Sequence, residues 1–105
     1  MTMDTLEIIE NEIINEVLAA VSKVAGIDYE TLCSRKRTAE ISLARQYCYY
    51  YLKKEFNWTL KGIGKKFNRD HSTVISGISK IEGYLFVRDA YVTMLDKRVK
   101  KAMQE

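Results

Sequence analysis

Residues 59–82, TLKGIGKKFNRDHSTVISGISKIE, predict two short helices joined by a tight turn. Thr59 is a candidate N-cap for the first helix, because its hydroxyl can accept a hydrogen bond from a first-turn N–H group. Asn68 can take the left-handed conformation that ends a helix, and Asp70 is a candidate N-cap for the second helix. Apolar residues recur at helical spacing in both, at Leu60, Ile63 and Phe67 and then at Val74, Ile75, Ile78 and Ile81. The segment therefore reads as a helix-turn-helix.

The start of the second predicted helix carries polar side chains that can read DNA. In a helix-turn-helix, the first residues of the second helix enter the major groove, where hydroxyls, an imidazole or an acid can bind base edges. Here these residues are Asp70, His71, Ser72 and Thr73. Helix capping would also explain Asp70, and the two roles can overlap. His71 is the sole histidine, so the sequence predicts neither a metal site nor a catalytic triad around it.

These motifs resemble the C-terminal duplex-binding domain of the bacterial replication initiator DnaA. The family pattern R-D-H-[ST]-T-V appears as residues 69–74, and the family's L-A-R-Q appears as residues 43–46 on the preceding long helix. The basic loop, residues 34–37, is similar to the family's S-K-R-R-like entry to that helix. The resemblance covers about residues 8–81. It implies sequence-specific binding of double-stranded DNA, as in recognition of a replication origin, with no catalytic step and no cofactor.

Roles for individual residues follow partly from the resemblance and partly from the charge and placement of the side chains. Base contacts are expected from Asp70, His71, Ser72 and Thr73. Contacts to the DNA backbone or the minor groove are expected from a second, mostly basic set: Arg35, Lys36, Arg37, Arg45, Gln46, Lys53, Lys61, Lys65, Arg69 and Lys80. Exposed lysines occur on any helix, so a single lysine of this set is weak evidence for DNA contact. The evidence lies in the number of lysines in the set.

The chain departs from the family pattern in two places. The family usually has a glycine pair or Gly-x between the phenylalanine and the arginine of the motif, whereas here only Asn68 stands between Phe67 and Arg69. The chain also lacks the initiator's ATPase module, because no G-x-x-x-x-G-K-[ST] occurs and no nucleotide site is predicted. Since the sequence begins with methionine and ends without an obvious linker, we expect a stand-alone small protein.

Composition and periodicity predict a single all-α domain over residues 1–105 with about five to six helices, and the resemblance implies a Trp-repressor-like arrangement of them. The chain contains no proline, its five glycines are scattered, and its apolar residues recur at helical rather than alternating spacing. The predicted segments are an acidic first helix at 5–25, the basic loop at 34–37, a long helix at 38–56, the helix-turn-helix at 59–82 and a C-terminal helix at 88–104.

The net charge of +3 is unevenly distributed along the chain. Residues 1–32 carry one lysine and seven acids, a net charge of −6, whereas residues 33–105 carry sixteen basic and seven acidic side chains, a net charge of +9. The basic part has the charge expected of a surface that binds phosphates, although a solvated basic face would give the same balance. The acidic first helix is not expected to lie along DNA.

The remaining conspicuous residues have simpler explanations. Tyr47, Tyr49, Tyr50 and Tyr51 point in different directions around a helix, so they are expected to pack rather than to stack on bases. Cys48 lies on the apolar side of the same helix and predicts a buried thiol. Two cysteines and one histidine are too few for a zinc site. No apolar run approaches the ~20 residues needed to cross a bilayer. We therefore expect a cytoplasmic, nucleoid-associated protein.

Two other classes of function compete with DNA binding. A protein-interaction module would use the acidic first helix or the C-terminal helix to bind a replication protein or a second copy of the chain. An enzyme would need a metal cluster, an activated nucleophile or a phosphate-binding loop, and the sequence contains none of these motifs. DNA binding is the function that the sequence favours.

Overall fold

The structure, a computed structural model, describes residues 4–105 and contains six α-helices and no strand in this range. They are α1 (Thr5–Ala25), α2 (Tyr29–Cys33), α3 (Ala39–Phe56), α4 (Leu60–Phe67), α5 (His71–Phe86) and α6 (Ala90–Gln104). The predicted all-α class and the predicted number of helices are confirmed. Helix α5 continues to Phe86 instead of ending at Glu82, and α6 begins at Ala90 instead of residue 88.

Short polar residues start most of the helices. In five of them the N-cap side chain accepts a hydrogen bond from a backbone N–H group of the first turn, at Asp4, Asp28, Thr38, Thr59 and Asp89. Each of these bonds pairs a donor that the helix itself leaves without an acceptor. The turn before α5 differs from the others, since Asp70 occupies the N-cap position without making a side-chain capping bond.

Helix α3 lies at the centre of the fold and contacts α1, α2, α4 and α5, while α6 packs across α1 and α5. The predicted packing of the tyrosine run is confirmed, because Tyr47, Tyr49 and Tyr51 are buried. The hydroxyl of Tyr47 donates a 2.6 Å hydrogen bond to Asp96 of α6. Cys48 is fully buried as predicted, and burial raises the pKa of its thiol.

The buried faces differ from the apolar stripes of the sequence in three helices. Helical spacing puts Leu6 and Ile9 on the stripe of α1, but they are 65% and 47% exposed. Ile75, predicted on the apolar face of α5, is 43% exposed. In α6, spacing starts the apolar stripe at Ala90 or Tyr91, which are exposed, whereas Val92 is buried.

Two glycines allow the close contacts that position α5. A Cβ atom at Gly77 of α5 would lie 3.0 Å from Cγ of Gln46 and 3.0 Å from the ring of Tyr49, both on α3. A Cβ atom at Gly64 of α4 would lie 2.7 Å from the carbonyl oxygen of Arg69, just before α5. Between α4 and α5, Asn68 has the predicted left-handed conformation, with φ of 53°. Small residues therefore set the distances of α5 from α3 and from the turn.

Replacing Gly64 by alanine should destabilise the domain, because the new methyl group would meet a backbone oxygen that cannot move without opening the turn. We expect a loss of about 1–3 kcal/mol in the free energy of unfolding. Gly83→Ala is the matched control, since a Cβ atom there meets nothing within 4 Å and alanine favours the helix by roughly 0.5–1 kcal/mol. Urea unfolding measures both, and equal stabilities of the two variants would contradict the close approach at Gly64.

Candidate nucleic-acid interface

The basic loop and the start of α5 meet on one side of the molecule. A hydrogen bond of 3.2 Å joins them directly, from Nη2 of Arg69 to the carbonyl oxygen of Ser34. Arg37 of the loop, Gln46 of α3 and Thr73 of α5 line the same surface groove. Candidate residues from three separate parts of the sequence therefore lie around one concave surface.

The start of α5 presents its polar side chains to solvent. This reading end, residues 70–73, consists of four exposed side chains, Asp70, His71, Ser72 and Thr73. Asp70 was expected to cap α5 with its side chain, but its carboxylate instead accepts a 2.6 Å hydrogen bond from the hydroxyl of Ser72. That hydrogen bond is the main cause of a lowered pKa of Asp70. The reading end thus combines an anionic acceptor, an imidazole and two hydroxyls.

A second groove follows the turn between α4 and α5. It brings Lys61 and Lys65 of α4 beside Arg69, Asp70 and His71. Both lysines are exposed, and Arg69 is half-buried. Positive side chains therefore flank the reading end on the side of α4, where a helix entering a DNA groove meets the phosphates.

Arg45 also lines the groove that holds Arg37, Gln46 and Thr73, but it is largely buried there. Its side chain is only 5% exposed, and its guanidinium donates to the carbonyl oxygens of Leu32, Ser34 and Lys36. The bonds to Leu32 and Lys36 measure 3.0 and 3.1 Å. This buried arginine therefore has a structural role, which is to hold the basic loop in place.

Arg69 has a similar role at the turn. Its guanidinium donates to the carbonyl oxygens of Phe67 and Asn68, each at 3.2 Å, and to that of Ser34. Arg45 and Arg69, together the loop anchor, thus share the carbonyl oxygen of Ser34 as an acceptor. Burial lowers the pKa of Arg45, and the nearby charge of Arg69 lowers it further. A guanidinium nevertheless stays protonated in proteins, so both side chains keep their donors.

The other predicted contact residues are exposed but are not brought into these two grooves. Arg35 and Lys36 project from the basic loop, Lys53 lies on α3, and Lys80 lies on α5. Two exposed residues of α5, Ile75 and Ser76, were not among the predicted contacts. Their positions three and four residues after Ser72 place them on its side of the helix, and this spacing could have identified them.

Within residues 4–105, no group of three or more His, Cys, Asp or Glu side chains is arranged to hold a metal ion. No helix in this range is both long enough and apolar enough to cross a membrane.

Similarity to known proteins agrees with this geometry. A family model described as the bacterial dnaA protein helix-turn-helix matches residues 14–81. The chromosomal replication initiator protein DnaA of Thermosipho africanus is 32% identical over 94 residues, which cover 85% of this chain and 21% of that protein. The protein of the same name from Oleidesulfovibrio alaskensis is 39% identical over 69 residues, covering 66% of this chain and 15% of that protein. The chain thus spans about a fifth or less of the length of these relatives.

Replacing Arg45 by methionine should destabilise the protein, because it leaves the carbonyl groups of Leu32, Ser34 and Lys36 without this donor. We expect a loss of about 1–3 kcal/mol in the free energy of unfolding. Arg37→Met is the matched control on the exposed loop and should change stability by less than about 0.5 kcal/mol. Urea unfolding followed by Trp58 fluorescence measures both. Similar stabilities for the two variants would show that the loop anchor contributes nothing.

Proposed function

This chain belongs to the bacterial DnaA helix-turn-helix family, and we propose on that basis that it binds double-stranded DNA in a sequence-specific manner. One observation carries the proposal: the exposed reading end and the basic loop lie on the same side of the molecule and are joined through Arg69 and Ser34. A helix and a neighbouring loop held at a fixed separation can enter adjacent grooves of one duplex.

In this proposal the reading end contacts base edges in the major groove. The imidazole of His71 and the hydroxyls of Ser72 and Thr73 can donate to purine or thymine acceptors, and Asp70 can accept from the amino group of cytosine. The exposed side chain of Ile75, one turn further along α5, adds an apolar surface that suits a thymine methyl group. Sequence specificity is assigned to these residues.

The basic residues supply contacts that position the protein. We assign Arg35, Lys36 and Arg37 to the minor groove or the adjacent phosphates, because they are exposed on a loop whose backbone is fixed by the loop anchor. Phosphate contacts are assigned to exposed lysines on α3, α4 and α5, namely Lys53, Lys61, Lys65 and Lys80. Gln46 lines the groove beside Thr73 and is placed to reach the same backbone.

The proposed mode of action is occupancy of DNA without catalysis. The relatives are named as chromosomal replication initiators, and this chain corresponds to their helix-turn-helix part. We propose that it occupies initiator-type sites and so acts in the initiation or regulation of replication, or in transcription control, as a cytoplasmic protein on the nucleoid. No nucleotide or other cofactor takes part in this proposal.

Fluorescence anisotropy with short duplexes tests the proposal directly. One duplex carries an initiator-family box, and a second carries the same bases in scrambled order. Box-selective binding that weakens with added salt is the expected result. Weak and equal binding to both duplexes, with no sequence enriched from a random-site library, would overturn it.

Replacing His71 or Thr73 by alanine should reduce discrimination between the box and the scrambled duplex by about 1–3 kcal/mol. Affinity for the scrambled duplex should hardly change, because that binding depends on phosphate contacts. Lys97→Ala, an exposed change on α6, is the control and should alter neither affinity. Anisotropy titrations give both values. An equal loss on both duplexes would remove these residues from base recognition.

Replacing Lys53 or Arg35 by alanine should weaken binding to every duplex alike, because each change removes a positive charge from the proposed phosphate-facing surface. The slope of the logarithm of the binding constant against the logarithm of salt concentration should fall by about 0.9 per lost phosphate contact. Lys101→Ala on α6 serves as the matched control with the same loss of charge. If the slope for Lys53→Ala equals that of the control, Lys53 does not contact phosphate.

A further inference from the structure

The corner between α5 and α6 exposes an apolar pair. Phe86 is 88% exposed and Val87 is 70% exposed, and Phe86 is the most exposed large hydrophobic side chain among residues 4–105. These two residues lie beyond residue 81, where the family match ends. An exposed aromatic side chain beside a second apolar residue is typical of a protein-binding surface.

The next residue adopts a conformation that arginine rarely takes. Arg88 has φ of 58°, and its N–H group donates to the carbonyl oxygen of Leu85 at 3.1 Å. The N–H group of Asp89 donates to the carbonyl oxygen of Tyr84 at 2.9 Å, which completes a helix-ending motif whose left-handed position favours glycine. Such strain in a non-glycine residue is concentrated at functional positions. The presence of arginine, rather than glycine, at this left-handed position therefore needs an explanation.

A groove of about 560 Å³ lies beside the corner. Ala25, Ala39, Leu43 and Val92 contribute apolar walls, and Tyr84 and Tyr91 line the groove on the side of α5 and α6. Two acidic residues also line it: Glu40, which is exposed, and Asp89, whose half-buried carboxylate caps α6. The groove is therefore suited to an aromatic side chain that arrives together with a positive charge.

We propose that this surface joins two copies of the chain, with Phe86 of each copy seated in the groove of the other and Arg88 facing Glu40 of the other copy. A two-fold interface requires one patch to carry both complementary parts. This patch does so, because Tyr84 and Tyr91, which line the groove, flank the corner at residues 86–88 in sequence. The opposite charges of Arg88 and Glu40 on one patch are the observation that favours a second copy as the partner. Neither side chain forms an ion pair within 4.0 Å among the described residues.

The pairing leaves the reading end free. Phe86 and His71 stand at opposite ends of α5, about 22 Å apart at 1.5 Å per residue. Because the contact consists of two Phe86 side chains and two Arg88–Glu40 pairs, the dimer should be weak in free solution. On a duplex with two binding sites, each copy raises the effective concentration of the other, so the same contact should produce cooperative occupancy. This last consequence, unlike the pairing itself, rests on the proposed function.

Charge reversal tests the pairing in analytical ultracentrifugation of the full chain without DNA. The wild type should associate reversibly as its concentration rises, whereas Arg88→Glu and Glu40→Arg should each remain monomeric, because each places like charges opposite each other twice. A one-to-one mixture of these two variants should associate again, since every facing pair is then of opposite charge. A monomeric wild type, unaffected single variants or a monomeric mixture would overturn the proposal.

Two further variants separate the interface from folding. Phe86→Ser should abolish association while the melting temperature and the affinity for a single DNA site stay unchanged. Arg88→Gly should raise the melting temperature by relieving the left-handed strain and should still weaken association. Unchanged association in either variant would count against the interface. Failure of DNA binding would leave these results intact, because association is measured in the absence of DNA.

Discussion

At Gly77, helix α5 comes so close to α3 that a Cβ atom would lie 3.0 Å from both Gln46 and the ring of Tyr49. Because the residue of α5 in this contact is glycine, α5 contributes no flexible side chain that could rearrange. The direction of the reading end therefore depends on α3. The same helix carries Arg45, the residue that holds the basic loop. Helix α3 thus positions both segments that face the proposed duplex, one through close packing and the other through hydrogen bonds.

The loop anchor joins these two segments at one atom. Two guanidinium groups donate to the carbonyl oxygen of Ser34, and burial, followed by the like charge of Arg69, lowers the pKa of Arg45. Burial of a charge is unfavourable unless hydrogen bonds replace its hydration, and the carbonyl groups of Leu32 and Lys36 accept two more hydrogen bonds from Arg45. As a result, the backbone of a loop with three long charged side chains is already fixed before the proposed contact with DNA. A preordered loop loses less conformational entropy on binding, so more of its contact energy remains as affinity.

Local sequence signals predicted the helices well, because caps and apolar spacing act within a few residues. Thr38, Thr59 and Asn68 have the backbone roles that their positions indicate. The role of Arg45 could not be found in this way, since its acceptors are carbonyl groups 9–13 residues earlier, in a loop whose path depends on the tertiary fold. Periodicity likewise placed Leu6 and Ile75 on apolar faces. Whether such a face is covered depends on the lengths and angles of neighbouring helices, and both residues remain exposed.

The turn between α4 and α5 is where the sequence departs from the family pattern. The resemblance predicts a glycine pair or Gly-x here, whereas this chain closes the turn with Asn68 alone, in the left-handed conformation. The N–H group of Arg69 donates to the carbonyl oxygen of Gly64 at 2.8 Å, and its guanidinium binds the carbonyl groups of Phe67 and Asn68. The same side chain reaches the carbonyl oxygen of Ser34, so one residue holds both the turn and the basic loop. The distance between the proposed major-groove contacts and the proposed minor-groove contacts therefore depends on this turn and on the loop anchor.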